Sequence, residues 1–140
     1  MSVELPLSAL AVTSALHAGF QVAVTTLVYP VLLRDGSDWS RRHGAHSRSI
    51  VPLVVLTYGA VLVSMVWVFA AGAVPAGAWV AGGAFALTLL VTAVGAAPLH
   101  GRLARGFDPG VARRLLLVDR GRCALAVTAA VAAAVTLVRV

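Results

Sequence analysis

The sequence has no lysine, a single cysteine and only five acidic residues among 140. With Cys123 alone, an intrachain disulfide, a CxxC redox pair and a cysteine-based zinc cluster are all excluded, so any metal site must rest on histidine and carboxylate. Polar surface is scarce too: 11% of residues are charged, 60% are hydrophobic, and the mean hydropathy is +0.94. That is too little to coat a water-soluble globule of this size, and it makes the bilayer the solvent.

What is present falls into four apolar runs, roughly 7–33, 51–71, 76–99 and 115–138, each meeting the requirement of about 20 residues for one helical crossing. They leave no room for a separate soluble domain, so the expectation is one all-α, four-helix membrane bundle over 1–140. The first run has no basic leader, carries Glu4 and is long for a cleaved signal, and it reads as a retained span. All eleven basic residues are arginine, and they give a net charge of +6. Ten of them lie around the connections between spans one and two and between spans three and four, and only Arg139 lies elsewhere. The positive-inside rule makes that side cytoplasmic, with both termini outside. This explains the charge without nucleic acid, for which no stacking pattern exists; Trp67, Trp79 and Tyr58 read as interface anchors or packing residues.

The outer connection, Ala71 to Ala76, is an uncharged Gly/Pro turn that predicts a tight hairpin of spans two and three. In the first inner connection, Ser37 and Asp38 are N-cap candidates before Trp39. Pro52 disfavours helical geometry at Val51, which predicts a separate short interfacial helix over 39–50. At about 100° per residue, Trp39, His43, His46 and Ile50 share one arc, and Arg41 and Arg48 point away. In the second inner connection, Gly106 is placed to close span three. Asp108-Pro109 reads as an N-cap with proline at the first helical position of a helix reaching Val138. Small residues spaced by four, Ala78, Gly82 and Ala86 and then Ala126, Ala130 and Ala134, predict close helix contacts. No repeat relates the two halves.

Polar residues inside a membrane are costly, so their placement is informative. Thr13, His17, Gln21 and Thr25 recur every four residues in span one and form a stripe facing the bundle interior. Packing without chemistry accounts for such a stripe; so does substrate contact by His17 and Gln21, with Tyr29 and Trp39 as further candidates. Near the inner ends, Tyr29, His43, His46, His100, Asp119 and Arg122 fall at similar depth. His43 and His46 share a helical face, and His100 and Asp119 can add a third and a fourth ligand. That donor set suits iron, copper or zinc, and it equally suits polar groups beside anionic lipid. Asp119 and Arg122 form either a helix salt bridge or a base with an anion-holding partner.

The run Gln21 to Pro30 (QVAVTTLVYP), His43-x-x-His46, Pro98-x-His100-x-x-Leu103-x-x-Gly106-x-Asp108 and the stretch Leu115 to Arg122 resemble a group of small bacterial four-span proteins similar to the anthrone-oxygenase-like membrane family. In that pattern the last span begins Asn-Trp-x-Arg. Here it reads Asp119-Arg120-Gly121-Arg122, with only the arginine kept. The resemblance implies an oxidoreductase of the bacterial inner membrane that oxygenates an aromatic polyketide- or quinone-like substrate, with or without a cofactor, using histidine and acidic groups for proton abstraction. His43, His46, His100, Asp119 and Arg122 are then the candidate catalytic residues. Two alternatives stand beside it. One is a non-redox cyclase, isomerase or hydrolase using the same groups. The other is a non-catalytic subunit that scaffolds a partner or binds haem through His17 or His100. The partners expected are the bilayer and a lipophilic small molecule, and a homo-oligomer is compatible with both. A small multidrug transporter would need a carboxylate inside the first span, where the nearest acid is the terminal Glu4.

Overall fold

A computed structural model of the chain describes residues 3–34, 36–72 and 74–140. Four helices make up the fold: α1, Glu4–Leu32; α2, Trp39–Ala70; α3, Ala76–Leu103; and α4, Pro109–Val138. Each is long and apolar enough to cross a bilayer, and the described residues contain no strand. The protein is an all-α, multi-pass membrane bundle.

Burial inverts the pattern of a water-soluble protein. Leu16, Val63, Leu90 and Val131 are exposed on the outside of the bundle, whereas Ser14, His17, Gln21, Ser64, Thr88, Asp119 and Arg122 are buried. Such a surface matches hydrocarbon, and the polar groups find partners only inside. Around the bundle, α2 packs on α1, α1 on α4, and α4 on α3. The seam between α2 and α3 is the loosest. Two apolar clusters close the ends: Leu7, Leu10, Val61, Val68 and Ala78 at the end holding the termini, and Leu32, Trp39, Leu103, Val111 and Leu115 at the arginine-rich end. The polar belt lies between them.

Two expectations about the inner connections need correction. The segment 39–50 is helical, but it is not a separate helix: α2 runs unbroken through Pro52. Proline removes one donor and crowds the carbonyl four residues back, and a membrane helix of this length absorbs that single defect. Asp38 is not a side-chain N-cap either. It adopts a left-handed conformation (φ 50°) and pairs with Arg41, while Arg42 Nη2 donates to the carbonyls of Val31 and Leu32 at 2.9 and 3.0 Å, satisfying the end of α1. The second connection follows expectation. α3 ends at Leu103, whose carbonyl accepts from Gly106 N at 3.2 Å, and Asp108 caps α4 by accepting from Gly110 N (2.7 Å) and Val111 N (3.0 Å). Those two backbone donors hold the Asp108 carboxyl below the usual carboxylate range. In the outer turn Gly72 takes φ 109° and Pro75 precedes α3; Ala73 lies outside the described residues, as does Asp35.

The local geometry of α1 and α3 shares a device that the sequence pattern did not reveal. Each contains a five-residue π-helical turn, Val24–Val28 and Thr92–Ala96, and each turn is followed by one residue and then a proline, Pro30 or Pro98. The carbonyl that each proline ring crowds, four residues back, belongs to the middle residue of its wide turn, Thr26 or Val94. Widening the turn relieves the clash. The wide turn also resets the helical phase, so Val24 and Tyr29, five residues apart, are both buried.

The small-residue faces differ from the fours expected. Ala78, Ala81 and Ala84 are buried on α3, and Ala126, Ala129 and Ala133 on α4, while Ala86 and Ala134 are exposed. Steps of four drift by about 40° each, so a run of them rotates off the packed face. α3 and α4 are in tight contact at Gly77, where a Cβ would collide with Thr136, whereas Gly83 faces open space. Gly77→Ala is therefore expected to destabilise the bundle by about 1–3 kcal/mol through overpacking. Gly83→Ala should be neutral or slightly stabilising. Unfolding of both variants in mixed micelles checks the contrast.

Candidate functional site

The polar belt is organised around Asp119 of α4, whose side chain is 0% exposed. Its Oδ1 accepts from Gln21 Nε2 at 3.1 Å and from Arg122 Nη1 at 3.1 Å, and its Oδ2 accepts from Thr25 Oγ1. Arg122, 5% exposed, donates its Nη2 to the hydroxyl of Tyr58 on α2 at 2.8 Å. Tyr58 in turn lies 3.3 Å from Thr92 Oγ1 in the wide turn of α3. One carboxylate thus ties all four helices together. Both halves of the i, i+3 pair have additional partners, which is the condition for a buried ion pair to be tolerated in a low-dielectric interior.

About one helical turn further along α1, roughly 6 Å, is a second cluster. Tyr29 OH and His100 Nε2 are 2.8 Å apart, and the rings of His46 and Tyr29 meet edge-on at 6.1 Å. The two proline-linked wide turns are what present these residues. Tyr29 immediately precedes Pro30, and His100 is two residues beyond Pro98. A cavity of about 300 Å³ opens here in the seam between α2 and α3. Its polar lining is Tyr29, His46, Ser47, Thr92, His100 and Arg122, and its walls are Ile50, Val51, Val54, Ala96 and Ala97. The volume is at the lower end of small-molecule sites. Its apolar walls come from α2 and α3, and Tyr29 of α1 and Arg122 of α4 complete the lining.

The candidates from the sequence therefore divide. His46, His100, Arg122 and Tyr29 line the cavity. Asp119 does not; it is buried behind Arg122 and orients it through the Nη1–Oδ1 bond. His43 is stacked on Trp39 (4.9 Å between ring centroids), and Trp39 Nε1 donates to the Leu103 carbonyl at 2.6 Å. Trp39 is a clamp between the start of α2 and the end of α3, and it lines no part of the cavity. Gln21 is bound to Asp119, and His17 is enclosed by Tyr58 and Phe85, with ring centroids at 4.3 and 5.8 Å.

Two site residues escaped the sequence reading. Tyr58 holds Arg122 and is no interface anchor, and Thr92 joins Tyr58 to the cavity; only their polarity within apolar runs marked them. The proposed metal set is not assembled: among the described residues no three His, Cys, Asp or Glu side chains are placed to hold one ion. His17 and the Tyr29–His100 pair are separated by 12 residues of α1, roughly 18 Å, so these two histidines belong to different parts of the bundle.

These features define a class: a four-helix membrane bundle with a buried, hydrogen-bonded ion pair and a partly polar pocket in the seam between α2 and α3. No protein-family model, curated protein or solved structure matches the chain.

Removing one member of the central pair leaves the other buried and uncompensated. Asp119→Ala is expected to cost about 3–5 kcal/mol, whereas the double variant Asp119→Leu, Arg122→Met should be less destabilised than Asp119→Ala alone. A double-mutant cycle by unfolding in mixed micelles measures this. Additive losses would mean that the two residues do not act as a pair.

Proposed function

We propose that this protein is a membrane-embedded oxidoreductase of the oxygenase type, acting on a lipophilic aromatic or quinone-like substrate that enters from the bilayer between α2 and α3. The observation that carries this reading is the lateral cavity, in which His46, His100, Tyr29 and Arg122 converge on otherwise apolar walls. A planar substrate with an acidic phenol or an activated CH2 group is soluble in hydrocarbon while neutral. Inside the cavity, a histidine nitrogen takes its proton, the C–H or O–H electron pair stays on the substrate, and the Arg122 guanidinium stabilises the resulting anion. Such an anion reacts with dioxygen. Overall, CH2 and O2 become C=O and H2O, with dioxygen as the oxidant. The residues of the chain supply proton transfer, charge stabilisation and exclusion of water.

The resemblance to the anthrone-oxygenase-like group supports the same reading. The arginine-rich end, where this cavity lies, is then the cytoplasmic side of a bacterial inner membrane, with both termini outside. The site also permits acid/base chemistry without oxygen, and one assay separates the two.

Proteoliposomes supplied with a hydroxyanthrone are expected to consume oxygen in proportion to the quinone formed. His100→Ala and Arg122→Gln should each slow this by about 100-fold, in the range of a lost general base or anion-stabilising donor. His43→Ala should have little effect. Substrate turnover without oxygen uptake would favour the non-redox reading, and equal rates in all variants would overturn the site.

A further inference from the structure

His17 is the buried group that this mechanism leaves unused. It lies near the middle of α1, 13 residues from Glu4 and 15 from Leu32, so it is roughly 20 Å from either end of the helix. It is 1% exposed, and neither ring nitrogen has a hydrogen-bond partner. Nor is it alone. Ser14 Oγ, Gln21 Oε1 and Arg122 Nε are likewise buried without partners. Ser14, His17 and Gln21 follow at i, i+3 and i+7 on one face of α1, and Gln21 shares Asp119 with Arg122. Five unpartnered polar atoms on four neighbouring side chains inside the bundle incur a desolvation penalty at each atom unless something bonds them. Water is the ligand that fits this mixture of donors and acceptors, because each molecule can bridge two to four of them.

We infer that the polar belt holds ordered internal water between His17 and Arg122, and that this water makes His17 the end group of a proton path from the cavity. The path starts at Thr92, which lines the cavity, and passes to Tyr58 OH, 3.3 Å away, whose ring lies against His17. The Thr92 hydroxyl, which donates to the Thr88 carbonyl at 2.7 Å, turns to hand its proton to Tyr58 and receives one from the cavity. Tyr58 passes its own proton through water to a His17 nitrogen. No heavy-atom bond changes, and the electron pairs stay in place. Beyond His17, among the described residues, the tract reaches only Ser14 and the Thr13–Ser64 hydrogen bond (3.2 Å), and Leu7, Leu10, Val61 and Val68 then close it. Among the described residues the path therefore opens at the cavity end alone. The water stands independently of the proposed reaction; only the source of the proton rests on that reading.

Solid-state NMR of 15N-histidine protein in lipid vesicles tests this without any substrate, with His17→Phe assigning the signal. Magnetisation transfer from water to the His17 ring nitrogens is expected, as is loss of that contact in Ser14→Ala, Gln21→Leu. A dry imidazole in folded protein would overturn the water site. Exchange of the His17 ring N–H with deuterated solvent should slow by about tenfold in Tyr58→Phe and in Thr92→Val, since each removes a hydroxyl from this path. Unchanged exchange in both would overturn the path and leave the proposed oxygenase reading intact.

Discussion

The ion pair between Asp119 and Arg122 is the constraint from which the rest of the bundle follows. A full carboxylate with no exposed surface, inside a helix flanked by hydrocarbon, requires partners on every side. Gln21 and Thr25 on α1, Arg122 on α4 and, through Arg122, Tyr58 on α2 supply them. Those bonds fix the rotation of three helices about their axes, and Thr92 brings in the fourth. Apolar packing alone specifies rotation poorly in a bilayer, because lipid tails match leucine as well as a neighbouring helix does. The alanine faces of α3 and α4 then set how near those helices come, and the ion pair sets which residues meet.

The same network explains the position of the pocket. Three of the four helix seams are closed by direct packing, and the seam between α2 and α3 is bridged by the Tyr58–Thr92 contact and by the rings of Phe69 and Trp79 near the terminal end. Below that bridge the cavity forms, with Arg122 as its charged group. Above it, a wholly apolar cleft of about 570 Å³ lies along the same seam, lined by residues such as Leu62, Met65, Gly83 and Leu89. A guanidinium held rigid by Asp119 and Tyr58 is preorganised to receive an anion, because its desolvation is already offset by the fold.

How much of this was legible in the sequence depends on which physical signal each feature leaves. The spans were readable because hydrocarbon demands long apolar runs, and the α4 start because Asp108-Pro109 is a strong local cap. The inward face of His17 and Gln21 followed from helical periodicity. What escaped is what local rules do not encode. The break expected at Pro52 was absent because tertiary and membrane context override a single lost donor, while Pro30 and Pro98 perturbed their helices through wide turns that carry no sequence marker of their own. Those wide turns shift the phase of everything after them, and Tyr29 and His100, each just beyond one, meet at 2.8 Å. Grouping His43 with His46 and His100 failed for a related reason: a shared helical arc does not say which residue stacks on Trp39 and which reaches the cavity.

The central claim is that the fold holds Arg122 at the cavity as a ready counter-charge for the anion of a lipophilic acid. The most direct measurement is the visible difference spectrum of a hydroxyanthraquinone dye bound to proteoliposomes, for the native protein and for a folded Arg122→Gln variant. The account predicts that the bound dye is the coloured phenolate at neutral pH in the native protein and the neutral phenol in the variant. A dye that binds both as the neutral phenol would contradict it.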